Sequence, residues 1–325
     1  MKSCWIVTKD HQNTLEFRDV PQPQPQPKAG EIVIKVMASA LNRGEMFVGG
    51  VVHGGPEKLG GNEASGTVHA IGEGVTGVKV GDAVFGRVRG GFSEYAVMDA
   101  KQIFPKPAHL SWEQAAAIPI SYITAWEMIY QYGKLQKGET LLIMGASSGA
   151  GVASIHLAKL IGARSIGTSG SAQKIEQLKA TGLDVGIATR KPDFAAQVRE
   201  LTDGKGVDLV INGVGGSVFA ECQRCLGFRG RLATVGYVDN VFKAEIDLNA
   251  VHAWRQEIFG VSNAHLPASG KTLSAEGFRR DVLPAVNDGR ILPLIDSVYS
   301  FDELPKAKAR MDASGMVGKI VVKIG

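Results

Sequence analysis

The chain reads Leu141-Leu142-Ile143-Met144-Gly145-Ala146-Ser147-Ser148-Gly149-Ala150-Gly151 where an apolar run breaks into small residues. The apolar part predicts a buried β-strand, the small residues predict a tight turn, and the residues that follow have helical character. A turn of this kind lets backbone amides at a helix N-terminus approach a pyrophosphate. This stretch therefore predicts a dinucleotide site, well inside the chain rather than at its start.

Short apolar runs recur on the C-terminal side of this turn, and helical stretches such as Gly151 to Ile161 separate several of them. Alternation of this kind predicts a parallel sheet covered by helices on both faces, the doubly wound α/β plan. The predicted strands are Leu141–Met144, Arg164–Thr168, Val185–Ala188, Val207–Ile211, Arg231–Val235 and Ile258–Val261. Six strands are what two mononucleotide-binding halves require.

The pattern along the chain predicts three blocks. Residues 1–118 hold short strand-like runs between glycine-rich turns and are expected to form a mainly β domain. Residues 119–261 form the nucleotide-binding domain. Residues 262–325 hold predicted helices around Ala275 to Asn287 and Asp302 to Ala313, and we expect this last block to rejoin the first domain.

Composition sets broad limits on function. The 325 residues are 44% hydrophobic and 21% charged, which is enough to bury a large core in two domains. No apolar run reaches the roughly 18 residues that span a bilayer, so a cytoplasmic protein without a membrane partner is expected. Three scattered cysteines favour reduced thiols. The net charge of +4 is mild and dispersed, so nucleic acid is not an expected partner.

The segment after the second predicted strand indicates the cofactor. An NAD-binding chain usually carries an acidic residue roughly 20 positions past the glycine turn, where it binds the ribose 2′-hydroxyl. Residues 167–174 contain no acid, but Ser169, Ser171 and Lys174 can donate to a 2′-phosphate, with Arg190 as a weaker candidate. NADPH is therefore the expected cofactor, although Lys174 could equally be a solvated helix residue.

A series of further motifs carries a family resemblance. In their order along the chain, these motifs resemble those of the zinc-independent medium-chain dehydrogenases/reductases of the quinone oxidoreductase (zeta-crystallin-like) type. The resemblance implies a GroES-like catalytic domain, a Rossmann domain and a homodimer. Its marks are Gly30 to Val36, Asn42, Gly61 to Gly66, Val80 to Val84, Thr124-Ala125, the glycine turn, Gly204 to Val210, Val214 to Gly216, Gly230-Arg231 and Gly318 to Val321.

The same resemblance bears on zinc. Zinc-dependent relatives carry a cysteine near the position of Asn42 to Glu45 and a Gly-His-Glu near Gly61, whereas this chain has Asn62 and Glu63 there. A catalytic zinc needs three good protein ligands. We therefore expect no metal, and we interpret Glu63 as a structural carboxylate.

The resemblance also assigns roles to single residues. It places Asn42 close to the nicotinamide and the substrate, where its amide could orient both; a loop-capping role remains open. Thr124 resembles the threonine that contacts the nicotinamide carboxamide, and Tyr122 is a candidate catalytic neighbour of the pocket. The other expected cofactor-binding residues are Ala146, Ser147, Ser148, Gly149, Ala150, Gly151, Val214, Gly236 and Tyr237.

These features predict a reductase that passes a hydride from NADPH to a quinone, an enone or a 2-alkenal. Two departures from the relatives are Phe47, where many have tyrosine, and Thr189, where some have a tyrosine that holds the 2′-phosphate. The first leaves quinone reduction open. Two alternatives also remain open: an enoyl reductase for a larger acyl substrate, and a non-catalytic NADPH-binding or regulatory protein.

Overall fold

A computed structural model describes residues 1–9, 12–20, 25–46, 57–263 and 265–325. These residues form two compact units. Unit 1 contains Met1–Ile123 together with Asn263–Gly325, and unit 2 contains Thr124–Ser262. No helix formed by the described residues combines the length and the apolar character needed to cross a bilayer.

The strands are numbered in chain order. They are β1 Lys2–Lys9, β2 Gln12–Asp19, β3 Glu31–Ala40, β4 Glu57–Leu59, β5 Glu63–Ile71, β6 Ala83–Arg87, β7 Tyr95–Asp99, β8 Ile103–Pro105, β9 Thr140–Met144, β10 Arg164–Ser169, β11 Val185–Ala188, β12 Val207–Asn212, β13 Leu226–Thr234, β14 Glu257–Gly260, β15 Ile295–Ser300 and β16 Lys319–Lys323.

The helices are numbered in the same way. They are α1 Trp112–Ala116, α2 Pro119–Trp126, α3 Gly149–Ile161, α4 Ala172–Ala180, α5 Ala195–Leu201, α6 Phe219–Cys225, α7 Leu248–Trp254, α8 Ala268–Asp281, α9 Leu283–Asn287 and α10 Leu304–Asp312. Short 3-10 helices lie at Arg43–Met46, Ala100–Gln102, Gly216–Val218 and Phe301–Glu303, and a π-helical segment lies at Glu127–Tyr132.

Unit 2 is a doubly wound domain. Its six strands pair in the order β11-β10-β9-β12-β13-β14, and every pairing is parallel. Apolar side chains of the central strands, such as Leu142, Val210 and Leu232, are fully buried, which explains their unbroken hydrophobic sequence. After β9, the chain forms β10 and β11 on one side of that strand and then β12, β13 and β14 on the other side. The strand order therefore reverses between β9 and β12. The predicted Rossmann-type fold is confirmed.

Unit 1 is mainly β, as the sequence predicts. A larger sheet runs β15-β16-β3-β5-β6-β8, with β7 also paired to β3, and a smaller one runs β2-β1-β4. The C-terminal strand β16 lies antiparallel to β3, with Val321 opposite Ala40. This pairing brings the last residues of the chain beside the loop that follows β3.

Two boundaries differ from the sequence prediction. The helix expected around residues 275 to 287 is two helices, α8 and α9, which part at Val282. Pro284 lies in the first turn of α9, where a proline is tolerated because its missing N–H has no intrahelical acceptor there. Strand β13 begins at Leu226 rather than Arg231, because its first residue pairs with Val207 before the register shifts.

Candidate functional site

The glycine turn of unit 2 follows β9 directly. Gly145 has a φ of +71°, which favours glycine, and the next amide, of Ala146, donates to the Thr168 carbonyl at 2.9 Å. The Ser148 hydroxyl caps α3 by accepting from the Gly151 amide at 3.0 Å. A Cβ atom at Gly151 would lie 2.5 Å from the Ala146 carbonyl oxygen, so only glycine lets the helix approach the turn this closely.

This geometry fits a dinucleotide pyrophosphate. The first-turn amides of α3 have no intrahelical acceptor, and the positive end of the helix dipole lies at the same place. The predicted residues Ser147, Gly149 and Ala150 are half-buried there. Since α3 begins at the carboxyl end of β9, beside the reversal of strand order, this is where open α/β sheets bind their ligands.

The end of β10 gathers groups that suit a phosphate. Ser169 is 5% exposed, and its hydroxyl has no hydrogen-bond partner among the described residues, so a polar group can still be bound there. The Ser171 hydroxyl caps α4 by accepting from the Lys174 amide at 3.3 Å. The Arg190 Nε donates to the Gly170 carbonyl at 3.4 Å, which holds the guanidinium over the same turn.

Thr189, where some relatives carry tyrosine, lies at the neighbouring strand end. Its amide donates to the Ser169 carbonyl at 2.9 Å, and its hydroxyl contacts Lys191 and Asp193 at 3.3 Å each. The Thr189 hydroxyl is therefore engaged within its own loop. The roles of Ser169, Ser171, Lys174 and Arg190 in binding a phosphate stay predictions.

The loops after β12 and β13 are joined by side chains that the sequence did not indicate. The Asn212 Oδ1 accepts from the amides of Val214 and Gly215, both at 3.0 Å. Asp239 accepts from the Val241 amide at 2.9 Å and donates its own amide to the Val214 carbonyl at 3.0 Å. These bonds shape a cleft of about 300 Å³. Its lining comprises Asn212, Gly215, Gly216, Phe219, Thr234, Tyr237, Val241, Phe242, Lys243, Ala244 and Ile246.

Predicted residues flank this cleft. Tyr237 lines it, and its ring stacks at a tilt on Phe242 with centroids 5.1 Å apart. Val214 and Gly236 lie on the two loops without lining it. The role of each in cofactor binding stays a prediction.

Unit 1 contains a buried polar cluster around Asn42. Glu63, with 0% exposure, accepts from the Asn42 Nδ2 at 2.8 Å and from the Ile120 amide at 2.7 Å. Lys319 forms an ion pair with the same carboxylate at 2.7 Å. Its ammonium also donates to the Asn42 Oδ1 at 2.7 Å and to the Leu41 carbonyl at 2.8 Å. Asn42 is therefore held by both members of a buried ion pair.

A second buried carboxyl lies beside this cluster. Glu45 accepts from the amides of Asn42 at 3.0 Å and Asn62 at 3.1 Å. Burial raises the pKa of Glu45 to about 7, with a further increase from nearby Glu63 and a partial offset from Lys319. Glu45, Glu63 and Lys319 together place two carboxyl groups and one ammonium around Asn42.

Two predicted residues lie in α2. Tyr122 is 2% exposed, and burial raises the pKa of its phenol well above the usual value. Thr124 is also buried. The catalytic role of Tyr122 and the carboxamide contact of Thr124 stay predictions, and Phe47 lies outside the described residues.

Several of these site residues escaped the sequence analysis: Glu45, Lys319, Asn212 and Asp239. Asn212 and Asp239 could have been found, because they follow predicted parallel strands whose carboxyl ends face ligands. Lys319 begins a short apolar strand inside the motif Gly318 to Val321, but that motif did not mark it as a site residue. Within the described part of the chain, no group of three or more His, Cys, Asp or Glu residues is arranged to hold a metal ion.

Two family profiles match the chain in the same order as its domains. The alcohol dehydrogenase GroES-like domain matches residues 28–108, and the zinc-binding dehydrogenase profile matches residues 149–274. The chain belongs to the medium-chain dehydrogenase/reductase superfamily. Its GroES-like and Rossmann domains are those that the sequence predicted.

Solved structures of similar proteins support this placement. A mycobacterial protein complexed with NADPH is 27% identical and superposes with a TM-score of 0.88 over 100% of both chains. A mycobacterial quinone oxidoreductase is also 27% identical, with a TM-score of 0.83 over 100% of both chains.

Two curated relatives are longer than this chain. The chain is 32% identical over 315 residues to a phenolphthiocerol/phthiocerol polyketide synthase protein of Mycobacterium tuberculosis, and the match covers 96% of this chain but 14% of the synthase. It is 28% identical over 330 residues to the human synaptic vesicle membrane protein VAT-1 homolog, covering 96% of this chain and 83% of the homolog.

Proposed function

We propose that this chain is an NADPH-dependent reductase that transfers a hydride to a quinone, an enone or a 2-alkenal without a catalytic zinc. The observation that carries the proposal is the buried hydroxyl of Ser169 at the end of β10, which lies beside Ser171, Lys174 and Arg190. No residue in the described part of the chain forms a hydrogen bond with this hydroxyl. No carboxylate in this segment would repel a 2′-phosphate. The similarity to a protein complexed with NADPH supports the same cofactor.

Two groups of residues would hold the cofactor in unit 2. The amides from Ala146 to Gly151 would bind the pyrophosphate at the N-terminus of α3. Ser169, Ser171, Lys174 and Arg190 would bind the 2′-phosphate through hydroxyl and cationic donors. Bound NADPH supplies the hydride.

The acceptor chemistry follows from what Asn42 can do. Reduction of an enone β-carbon or of a quinone places negative charge on the acceptor oxygen, and a fixed hydrogen-bond donor stabilises that charge. We assign this donor role to the Asn42 amide, which Glu63 and Lys319 hold at both ends. Activated acceptors of this kind need less electrophilic assistance than a simple ketone does.

The competing functions make different predictions. The similarity to a polyketide synthase favours a larger acyl substrate, because 96% of this chain matches a part of that synthase. An enoyl reductase of that kind would prefer long enoyl thioesters to small enones. A non-catalytic NADPH-binding protein would bind the nucleotide and oxidise it with neither class.

The test is an anaerobic fluorescence titration of the purified protein with NADPH and NADH, followed by 1,4-benzoquinone, a small enone, a 2-alkenal and an enoyl thioester. The proposal predicts tighter binding of NADPH than of NADH and its oxidation by at least one small acceptor. Oxidation by the thioester alone would favour the enoyl reductase, and no binding of either nucleotide would refute the cofactor assignment.

We also propose a cytoplasmic homodimer. Strand β14 is the last in the parallel sheet, pairs with β13 alone among the described residues, and leaves Ile258 exposed. An exposed edge of this kind can pair with the same strand of a second copy. The free cysteines fit a reducing compartment. Light scattering after size exclusion tests the dimer, and a mass of about 34.5 kDa would refute it.

A further inference from the structure

The Lys319 ammonium is fixed in place by its neighbours. An ammonium group has three N–H donors and no acceptor. At Lys319 these donors reach the Leu41 carbonyl, the Asn42 Oδ1 and the Glu63 Oε1, all within 2.8 Å. The residue is only 5% exposed. Since all three donors are engaged, the cation has no donor left for a substrate and acts through the groups that it binds.

The cation decides which way the Asn42 amide faces. The Asn42 Oδ1 accepts from Lys319, and its Nδ2 donates to Glu63 at 2.8 Å. An amide turned by 180° would place its NH₂ group against the ammonium and its oxygen against the carboxylate, so one orientation alone satisfies both partners. The second Nδ2–H makes no hydrogen bond with a described residue, and Asn42 is half-buried rather than enclosed.

We infer that Lys319 is a positioning residue, which through Glu63 and the Asn42 oxygen presents the remaining Asn42 N–H to the acceptor oxygen. The inference rests on the proposed function and names the group that makes Asn42 a reliable donor. A charge-assisted bond to the amide oxygen also polarises the amide, which strengthens its N–H as a donor. The pair therefore acts on the orientation and the strength of one hydrogen bond.

A purely structural role for the ion pair is the competing interpretation. Removing Lys319 alone would leave the buried Glu63 carboxylate unpaired, and the chain could then fail to fold for that reason. The double variant Glu63→Gln with Lys319→Met avoids this, because both new side chains are neutral and close in volume to the originals. The Ile120 amide keeps an acceptor in this variant, since the oxygen of a glutamine amide can replace the carboxylate oxygen there.

The double variant has a specific consequence for Asn42. Its glutamine amide would place an NH₂ group where the Glu63 Oε1 now accepts from Asn42. Asn42 would then turn its oxygen toward that NH₂ group, which moves its free N–H away from the acceptor. A matched control is the double variant Glu113→Gln with Lys323→Met. It makes the same two substitutions at an ion pair of 2.8 Å that also involves strand β16, but Lys323 is exposed.

The first measurement compares steady-state kinetics of the wild type and both double variants with an enone. We expect the Glu63/Lys319 variant to lose about 10- to 100-fold in kcat, with the NADPH dissociation constant unchanged and KM changed little. The control should keep its kcat within about twofold. A folded Glu63/Lys319 variant with wild-type kcat would overturn the inference.

The second measurement does not depend on turnover. In asparagine-selective ¹⁵N-labelled protein, one of the two Asn42 side-chain amide protons should exchange with water at least about tenfold more slowly than those of exposed Asn240. The Glu63/Lys319 variant should lose this protection, whereas the control should keep it. An unprotected Asn42 amide in the wild type would overturn the inference without any variant.

These two measurements separate the inference from the function on which it rests. If the wild type reduces no acceptor, the proposed function fails, and the amide exchange still decides whether Lys319 positions Asn42. If kcat falls in the variant while amide protection persists, the orientation of Asn42 is not the cause, and the inference is wrong.

Discussion

Glu45 gives the protein a specific dependence of stability on pH. Its carboxyl group is buried beside Asn42 and Glu63, and burial raises its pKa to about 7 from an ordinary value of 4.5. The folded protein therefore favours the protonated form. The contribution of Glu45 to stability is complete only below the unfolded value of 4.5, and it is lost as the pH rises through about 7, because the unfolded chain ionises first.

The magnitude follows from the two pKa values. At about 1.4 kcal/mol per pH unit, the interval between 4.5 and about 7 corresponds to a total loss of about 3 kcal/mol in the free energy of unfolding. Most of this loss, about 2.5 kcal/mol, falls between about pH 5 and pH 8. The variant Glu45→Gln has no titratable group at this position and lacks this loss.

The assay is urea unfolding of the wild type and of Glu45→Gln at several values between about pH 5 and pH 8. Glutamine keeps one of the two acceptors for the Asn42 and Asn62 amides, so the variant carries a constant cost of about 1 kcal/mol that does not change with pH. The free energy of unfolding of the wild type, relative to that of the variant, should fall by about 2.5 kcal/mol across the range, so that the variant becomes the more stable protein near pH 8. The role assigned to Glu45 is wrong if the stability difference between the wild type and Glu45→Gln is constant with pH, or if it varies with pH no more than for the exposed control Glu276→Gln.

Three further outcomes are expected. Lys174→Ala and Arg190→Ala should each weaken NADPH binding by about tenfold and leave NADH binding unchanged, because each removes a cation from the proposed 2′-phosphate site; isothermal titration measures both affinities. Gly151→Ala should weaken the binding of both nucleotides, because its Cβ would lie 2.5 Å from a carbonyl oxygen. The control Gly260→Ala should bind both nucleotides normally, because its Cβ would meet no atom within 4 Å. Burial raises the pKa of all three cysteine thiols, so a thiol reagent at about pH 8 should modify them only after unfolding.

The parallel sheet could be predicted from the sequence because its determinants are local. Each buried strand is a short apolar run, and the glycine turn before α3 combines a positive φ at Gly145 with a close approach at Gly151. The early start of β13 could not be predicted in this way, because it depends on a register shift against β12. The break at Val282 carried a local signal in Pro284, which the helical periodicity outweighed.

The polar cluster of unit 1 could be predicted only in part. The resemblance singled out Asn42, and Glu63 was expected to be structural. Nothing local connects them to Lys319, which is far away in the sequence and reaches them only because β16 pairs with β3. A lysine at the start of a terminal strand is usually exposed, so its burial follows from the tertiary structure alone.

The proposed function requires a hydride to pass from NADPH to a carbon atom of the enone, and a deuterium label follows that hydride. The protein is incubated with an enone and NADPH deuterated at C4, in separate reactions for each face of the nicotinamide, and the product is analysed by mass spectrometry. The proposed function predicts one deuterium at the β-carbon of the product from one of the two labelled forms. NADPH that binds but delivers deuterium to the product from neither form would contradict it.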